Sequence, residues 1–375
     1  MNKKKILLVG DANHQFITNY SKWLTKSKLS QNFEIDILSL TKTGSSNLKF
    51  YSNVYEVQFN FIHKIKLVRK YFKFYKYKKL ISALPNYDYV HFHFIGRESQ
   101  YILKQISKNT NSKIITSIWG SDMFRNKSKR FISTCEISDI LTFTSKDSID
   151  FFKSKYNWTK ENINLCPFGL APLEYLKKLT KTKTECKVDL KLNPEKIVIT
   201  VGYNMAPQQQ HLEILDQFLD KNLLKLKDKV QIVLPITYGG SINYKQNLLR
   251  KLNKLPFEYK VFDSYLSDND VAKIRKASDI MLQFQITDQL SGSMLEHIYA
   301  NNVVITGSWL PYENLKENKY WFYDVEMIED IKSLIPHIIS NYESISQQTR
   351  NNQKLVGTDY SWNNTIKNWL TLYER

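Results

Sequence analysis

The sequence predicts an α/β protein made of two doubly wound, Rossmann-like domains in series. Short apolar runs alternate with helical patterns along the whole chain, which is typical of parallel sheets covered by helices. The alternation pauses once, over the polar, lysine-rich residues 171–194, and then restarts. A length of 375 residues also has room for two domains of ordinary size.

In the first half, apolar runs predict strands over residues 4–9, 33–40, 87–94, 113–118, 140–144 and 163–166. The first run ends at Gly10 and precedes a helical pattern, which gives a strand, a turn and a helix. In the second half, strands are predicted over 196–201, 230–235, 258–262, 280–284 and 303–306, with helices over 211–226, 243–252, 268–277 and 293–300. An amphipathic pattern over 360–373 predicts a last helix.

These patterns predict four parts: a first domain over 1–170, a linker over 171–194, a second domain over 195–355 and a C-terminal helix over 356–375 that can return to the first domain. Ligands of such sheets bind at the carboxyl ends of the strands. The cleft between the two domains is therefore the expected site.

The composition excludes several classes of protein. Hydrophobic residues make up 42% of the chain, enough for real cores. No apolar run approaches the about 18–20 residues of a membrane span, and the run over 6–9 is too short for a signal peptide. The three cysteines fit neither a disulfide framework nor zinc-ligand spacing. We therefore expect a cytoplasmic protein.

The net charge of +18 is concentrated in the first half. Residues 1–170 hold 28 Lys and Arg against 12 Asp and Glu, a net charge of +16, whereas residues 171–375 hold 26 against 24, a net charge of +2. A field of this size attracts nucleic acid, anionic lipid or phosphorylated substrates.

The densest basic segment, residues 61–80, has eight Lys and Arg, six aromatic residues and no carboxylate. Its apolar residues recur at helical spacing, which is typical of a helix lying in a membrane interface. This predicts a peripheral protein at the inner face of the membrane. The predicted membrane-facing residues are Lys64, Lys66, Arg69, Lys70, Phe72 and Lys73. Packing on the domain's own core and contact with nucleic acid are the alternatives.

The most informative stretch of the second half is residues 287–306, where a predicted strand leads to a polar loop and then to a helix. Small residues at a helix start leave backbone N–H groups exposed, and the helix dipole favours a phosphate there. Glu296, one turn into the helix, could reach a ribose, and Asp288 could bind a sugar. The alternatives need no ligand: Ser293 and Glu296 would form a capping box, and Asp288 would cap a turn.

The spacing of Asp288 and Glu296 resembles the E-x7-E segment of GT-B glycosyltransferases, especially family four. The resemblance implies that the first acid contacts the donor sugar, the second contacts the nucleotide ribose, and the amides between them hold the diphosphate. Those amides belong to Ser291, Gly292, Ser293 and Met294. Asp replaces Glu at the first position. The resemblance further implies no cofactor and no essential metal.

Two further segments fit a donor site. Gly202 and Asn204 follow the first strand of the second half, where these enzymes carry a donor-binding turn. Tyr238, in the sequence PITYGG, resembles a segment of the bacterial transferases that add an acetamido-dideoxygalactose. One departure is that residues 203–220 contain no Lys or Arg, although family-four enzymes use such cations against the diphosphate.

In the first half, the turn Trp119-Gly120-Ser121-Asp122 resembles the W-G-x-D turn of GT-B acceptor domains. Asp122 could orient or deprotonate an acceptor hydroxyl, or it could simply cap a turn or a helix. Other acceptor-side candidates are Asp11, His14, His93 and Trp119, all near predicted strand ends. None of these residues has metal-ligand spacing.

The sequence therefore predicts a glycosyltransferase of the hexosyltransferase type, with Asp122 and Asp288 as catalytic candidates. It would move a sugar from a nucleotide-diphosphate donor to a lipid-linked or surface-polysaccharide acceptor. The family resemblance favours retention of configuration, whereas PITYGG favours inversion. The alternatives are a nucleotide-sugar 2-epimerase of the same fold, a nucleic-acid-binding protein, and a non-catalytic GT-B partner subunit.

Overall fold

The computed structural model describes residues 3–27, 31–57, 69–124 and 129–374. The chain forms two compact units. The first combines Met1–Gly169 with Trp362–Arg375, and the second is Leu170–Ser361. Each unit contains one parallel sheet with helices between its strands, so the predicted pair of doubly wound domains is confirmed.

The sheet of the first unit has seven strands within the described ranges. They are β1 Lys4–Gly10, β2 Phe33–Ser39, β3 Val54–Glu56, β4 Tyr89–His93, β5 Lys113–Ser117, β6 Ile140–Phe143 and β7 Ile163–Leu165. Their order is β3-β2-β1-β4-β5-β6-β7, and all pairs are parallel. The order reverses between β1 and β4, which is where ligands bind in this fold.

The helices of the first unit include one from the end of the chain. They are α1 Gln15–Lys26, α2 Arg69–Ser82, α3 Arg97–Asn109, α4 Gly120–Phe124, α5 Lys129–Ile137, α6 Lys146–Tyr156 and, last in the chain, α18 Trp362–Leu370. Trp362 and Trp369 of α18 are fully buried among side chains of the first unit. The predicted return of the C-terminal helix to the first domain is therefore confirmed.

The sheet of the second unit has six strands. They are β8 Ile197–Val201, β9 Val230–Pro235, β10 Glu258–Phe262, β11 Ile280–Gln283, β12 Val303–Gly307 and β13 Tyr323–Val325. Their order is β10-β9-β8-β11-β12-β13, with every pair parallel. The buried strands are nearly continuous apolar runs, as expected for a sheet covered on both faces.

The helices of the second unit begin within the predicted linker. They are α7 Pro172–Lys178, α8 Lys183–Asp189, α9 His211–Gln217, α10 Lys221–Leu224, α11 Ile242–Leu252, α12 Asp268–Ala277, α13 Gly292–Tyr299, α14 Glu313–Glu317, α15 Ile331–Ser340, α16 Tyr342–Gln348 and α17 Arg350–Asp359. The prediction of one helix over 211–226 is wrong, because α9 and α10 occupy it separately.

Helix α8 is anchored to the second unit by a buried cluster of charges. The Asp279 carboxylate lies 2.6 Å from the ammonium of Lys183 and 2.9 Å from that of Lys187. Lys187 also donates to the carbonyl of Lys196, at 2.7 Å. Residues predicted to form the linker between the domains thus belong to the second unit.

The described part of the basic segment is helix α2, which has two different faces. Tyr77 is buried and donates to Glu98, and Lys73 pairs with the same carboxylate, so Lys73 faces helix α3. Tyr71 and Tyr75 are 77% and 65% exposed. Among the other predicted membrane-facing residues, Phe72 is partly exposed, while Lys64, Lys66 and the side chains of Arg69 and Lys70 lie outside the described residues. Among the described helices, none is both long and apolar enough to cross a membrane.

Candidate functional site

In the second unit, the loops that follow β8 and β9 pack directly on each other. The amide of Met205 donates to the carbonyl of Tyr238, at 2.6 Å. A Cβ on Gly240 would lie 2.4 Å from the carbonyl oxygen of Met205, so only glycine allows this approach. Asn204 lies in the same loop and is buried, and Gly202 begins it with a φ of +62°. The predicted donor residues of these two loops are therefore neighbours.

Helix α13 begins at the carboxyl edge of the same sheet. Ser291 is its N-cap and accepts the amide of Met294 at 3.1 Å, which removes that amide from the predicted phosphate donors. The amides of Gly292 and Ser293, in the first turn, have no acceptor within a helix. Because Ser291 is the cap, the alternative of a Ser293–Glu296 capping box is wrong.

Glu296 is held by a buried arginine that the sequence analysis did not identify. The carboxylate oxygen Oε2 of Glu296 accepts Nε of Arg275, at 3.0 Å. Their exposed fractions are 8% and 6%. Burial raises the pKa of Glu296 above its ordinary value, and the guanidinium of Arg275 opposes that rise. This ion pair joins α12 to α13 at the second turn of the predicted donor helix.

Asp288 is fixed by the loop that follows β12. The hydroxyl of Tyr312 donates to its Oδ2 at 2.7 Å, and the amide of Gln289 donates to its Oδ1 at 2.8 Å. Trp309 strengthens the link between the two loops, because its Nε1 donates to the carbonyl of Gln285 at 2.9 Å. The first acid of the predicted E-x7-E segment is thus oriented before any ligand binds.

Several buried polar atoms of this unit make no hydrogen bond with the described residues. Four of them are Gln283 Oε1, Gln289 Nε2, Ser293 Oγ and Thr306 Oγ1. They belong to the carboxyl ends of β11 and β12, the following loop and the start of α13. Buried polar groups are almost always paired with protein or water. This edge of the sheet is therefore suited to a polar ligand.

In the first unit, Asp122 lies in the short helix α4, immediately after β5. Its Oδ2 accepts the amide of Trp119, at 3.1 Å. Burial raises the pKa of Asp122 to about 6, although backbone hydrogen bonds from Trp119 and Ile95 oppose the rise. A carboxylate with such a pKa is well matched to proton transfer near neutral pH. The local hydrogen bond also fits the turn-capping alternative.

An aromatic cluster surrounds Trp119. Its indole is stacked between Phe16 and Phe94, with ring centroids 5.3 Å and 4.9 Å away. The His14 ring lies 4.7 Å from Phe94. Phe16 is 40% exposed, so one ring of the cluster is open to solvent. The structure thus brings His14 and Trp119 together, and adds Phe16 and Phe94, which the sequence analysis missed.

The remaining acceptor-side candidates differ in their surroundings. His93 is fully buried and stacks on His91 at 4.2 Å, and neither of its nitrogens has a hydrogen-bond partner among the described residues. Burial lowers the pKa of His93 to about 3, so the ring is neutral. Asp11 accepts the amide of Asn13 at 2.9 Å. Burial lowers the pKa of His14, and the charge of Asp11 opposes that lowering.

Comparison with known proteins gives a consistent result. Residues 5–153 match the family described as glycosyl transferase 4-like. The chain is similar in fold to a glycosyltransferase from Rickettsia africae (17% identity, TM-score 0.73, covering 100% of this chain and 98% of that one). It is also similar to sucrose-phosphate synthase from Thermosynechococcus elongatus (12% identity, TM-score 0.74, covering 99% of this chain and 98% of that one). A third similar structure is Anabaena HepE in complex with UDP and glucose (11% identity, TM-score 0.73, covering 99% of each chain). Among curated proteins, no match is found.

Residues 5–153 thus match a glycosyltransferase family, and the whole chain has the fold of the glycosyltransferases it resembles. The predicted resemblance to GT-B enzymes of family four and the predicted GT-B fold are confirmed. The predicted donor residues cluster at one sheet edge of the second unit, and the predicted acceptor-side residues lie in the first. Within the described residues, no group of three or more His, Cys, Asp or Glu is arranged to hold a metal. The individual residue roles stay predictions.

Proposed function

We propose that the second unit binds a nucleotide-diphosphate sugar and that the first unit binds the acceptor hydroxyl. The observation that carries the donor assignment is the buried, ion-paired Glu296, one turn into a helix that starts at the carboxyl edge of the sheet. One similar structure, HepE, was solved in complex with UDP-glucose. This likeness supports the same class of donor here.

On the donor side, each group has one task. The first-turn amides of Gly292 and Ser293 and the helix dipole stabilise the negative charge that grows on the leaving diphosphate. Glu296 accepts hydrogen bonds from the ribose, and Asp288 from the sugar. We propose that no metal is needed, because this helix start supplies the positive potential. Full activity in the presence of EDTA is the expected result, and loss of activity would contradict it.

We propose retention of configuration, which the resemblance to family four favours. The donor phosphate then takes the proton of the acceptor hydroxyl, and Asp122 orients that hydroxyl. Inversion is the second candidate, and the raised pKa of the Asp122 carboxyl supports it as a base. The anomeric configuration of the first-formed product, read by NMR, decides between them.

We propose a lipid-linked or surface-polysaccharide acceptor at an anionic membrane surface. The support is the net charge of +16 over residues 1–170, together with the exposed Tyr71 and Tyr75 on the lysine-rich helix α2. Each lysine near such a surface contributes about 1 kcal/mol. We expect co-sedimentation with phosphatidylglycerol vesicles but not with phosphatidylcholine vesicles.

The matched variants for that assay are both aromatic substitutions at exposed positions. Tyr71→Ser/Tyr75→Ser should weaken vesicle binding by about tenfold. Tyr265→Ser, at a highly exposed position in the second unit, should leave vesicle binding unchanged. Equal vesicle binding by the unsubstituted chain and both variants, or no binding by the unsubstituted chain, would refute the proposed membrane-binding surface. Neither result would affect the proposed donor site.

Thermal-shift measurements with UDP, GDP, TDP and their common sugars test the donor assignment. One nucleotide should raise the unfolding temperature, and Glu296→Ala should abolish that shift. Tight, salt-sensitive binding to RNA or DNA without any nucleotide shift would overturn the proposal in favour of nucleic-acid binding. No response to either would favour a non-catalytic partner subunit, and conversion of the nucleotide sugar into its 2-epimer would favour the epimerase.

A further inference from the structure

We propose that Arg275 is a positioning residue that fixes Glu296 for recognition of the donor's ribose hydroxyls. The inference rests on the proposed donor site. It assigns a role to a residue of helix α12 that lies 21 positions before Glu296 in the chain.

Arg275 is fixed at both its side chain and its backbone. Its Nε donates to Oε2 of Glu296, at 3.0 Å, and its Nη1 lies 3.1 Å from Nε2 of His297. A guanidinium only donates hydrogen bonds, so Nε2 of His297 must accept and the imidazole is neutral. The carbonyl of Arg275 accepts the side-chain amide of Asn302, at 2.7 Å. The guanidinium therefore has one orientation.

The orientation of Arg275 determines which carboxylate oxygen remains available. Oε2 is occupied by Nε, and among the described residues no hydrogen bond is found at Oε1 of Glu296. Oε1 can therefore accept ligand hydroxyls. Burial raises the pKa of the Glu296 carboxyl, and the cation opposes that rise and so favours the charged form, which is the stronger acceptor. Without Arg275, the carboxyl would tend to hold a proton and rotate freely.

A purely structural role is a weaker explanation of this pair. Replacing a buried ion pair with apolar residues of similar volume is often neutral or stabilising. Helices α12 and α13 could therefore be joined without charge. A charged pair at the second turn of the predicted donor helix is better explained by recognition of a polar ligand. The decisive property is discrimination between nucleotides that differ by one hydroxyl.

The experiment measures that discrimination by calorimetry with purified full-length protein. UDP and GDP are each compared with their 2′-deoxy analogues, and TDP with its 3′-deoxy analogue. The unsubstituted protein should favour the hydroxyl-bearing nucleotide by about 10- to 100-fold, the range for a hydrogen bond to a charged group. Arg275→Met should reduce this preference to about threefold or less.

Three further variants separate positioning from folding. Lys276→Met, which removes a cation from the same helix, should keep the full preference. Arg275→Lys should restore part of it. In the Glu296→Gln background, Arg275→Met should cause no further loss of preference, because the effect acts through Glu296. This double variant leaves no unpaired buried charge, so it stays measurable if Arg275→Met alone does not fold.

Each remaining outcome is decisive. Full preference in Arg275→Met, with or without lower stability, would overturn the positioning role and make the pair structural. Nucleotide binding without any preference in the unsubstituted protein would overturn it too, while the donor site would stand. No binding of UDP, GDP or TDP would overturn the proposed function itself.

Discussion

The sheets of the two units share one strand order over six strands, and the first sheet has a seventh, but the chemistry at their carboxyl edges differs. In the first unit this edge carries stacked rings around Trp119, with the buried carboxyl of Asp122 beside them. In the second unit it carries amides, hydroxyls and the Arg275–Glu296 ion pair. Stacked rings suit the apolar faces of sugars, whereas amides and hydroxyls suit phosphate and ribose. One fold thus differs in chemistry through the loops and helix residues at that edge.

The sharpest way to break this comparison is to remove one carboxylate from each edge. Asp122→Asn should lower kcat by about 100-fold or more while leaving nucleotide affinity unchanged, because the proposed role of this carboxylate is to act on the acceptor hydroxyl. Glu296→Gln should instead weaken nucleotide binding. Steady-state kinetics and calorimetry measure the two effects. Weaker nucleotide binding in Asp122→Asn would show that the two edges are not functionally separate.

The same Asp122→Asn substitution should lower activity but increase the free energy of unfolding at neutral pH, and the effect on stability should be smaller. Burial raises the Asp122 pKa from 3.8 to about 6, so the folded state binds this proton more tightly than the unfolded chain. That stabilisation is complete below about pH 4 and is lost as pH rises through about 6. Asp122→Asn should therefore be more stable at neutral pH by roughly 1–3 kcal/mol.

Denaturant unfolding at several pH values between these limits checks this expectation. The unsubstituted protein should lose stability with rising pH by more than the Asn variant does. Parallel curves for the two proteins would mean that the carboxyl of Asp122 is better solvated than its burial indicates.

The smallest expected effect comes from removing one hydroxyl next to Asp288 in the second unit. Tyr312→Phe removes one hydrogen bond from Asp288 but keeps the ring. The donor KM should rise by about 3- to 10-fold, the size expected for one neutral hydroxyl, with little change in kcat. Tyr320→Phe, which removes a similar hydroxyl from Asp359 in the same unit, is the control and should not alter KM. Equal KM values for both variants would remove Tyr312 from the donor site.

Most strands could be predicted from sequence because a parallel sheet is buried on both faces, so each of its strands is an apolar run. The run at β1 and the run at β9 are examples. The missed strands, Val54–Glu56 and Tyr323–Val325, are three-residue strands at sheet edges. Strands of three residues bury too few side chains to produce a recognisable hydrophobic pattern in the sequence. Helix α8 was missed because its anchor, Asp279, lies far along the chain and has no local signal.

At the candidate site, too, local sequence patterns could not predict residues that come from distant parts of the chain. Asp288 and Glu296 were identified because a known spacing connects them within one loop and helix. Arg275 and Tyr312 were not, because each reaches the site from a different element. The capping-box alternative was wrong because either serine in Ser-Gly-Ser could cap α13, and only the backbone conformation selects Ser291. Local patterns thus identify acids at strand ends, and tertiary structure identifies their partners.

The closing of the first unit by its last helix has a consequence for synthesis of the chain. Trp362 lies so close to Gly169 that a Cβ there would be 2.3 Å from the indole. Trp362, Trp369 and Tyr373 complete the core beneath β1. A ribosome makes these residues after it has made the whole second unit. The core of the first unit therefore stays incomplete until these residues are made, whereas by then every residue of the second unit is already present. The order in which the two units are completed is the reverse of the order in which they begin in the chain.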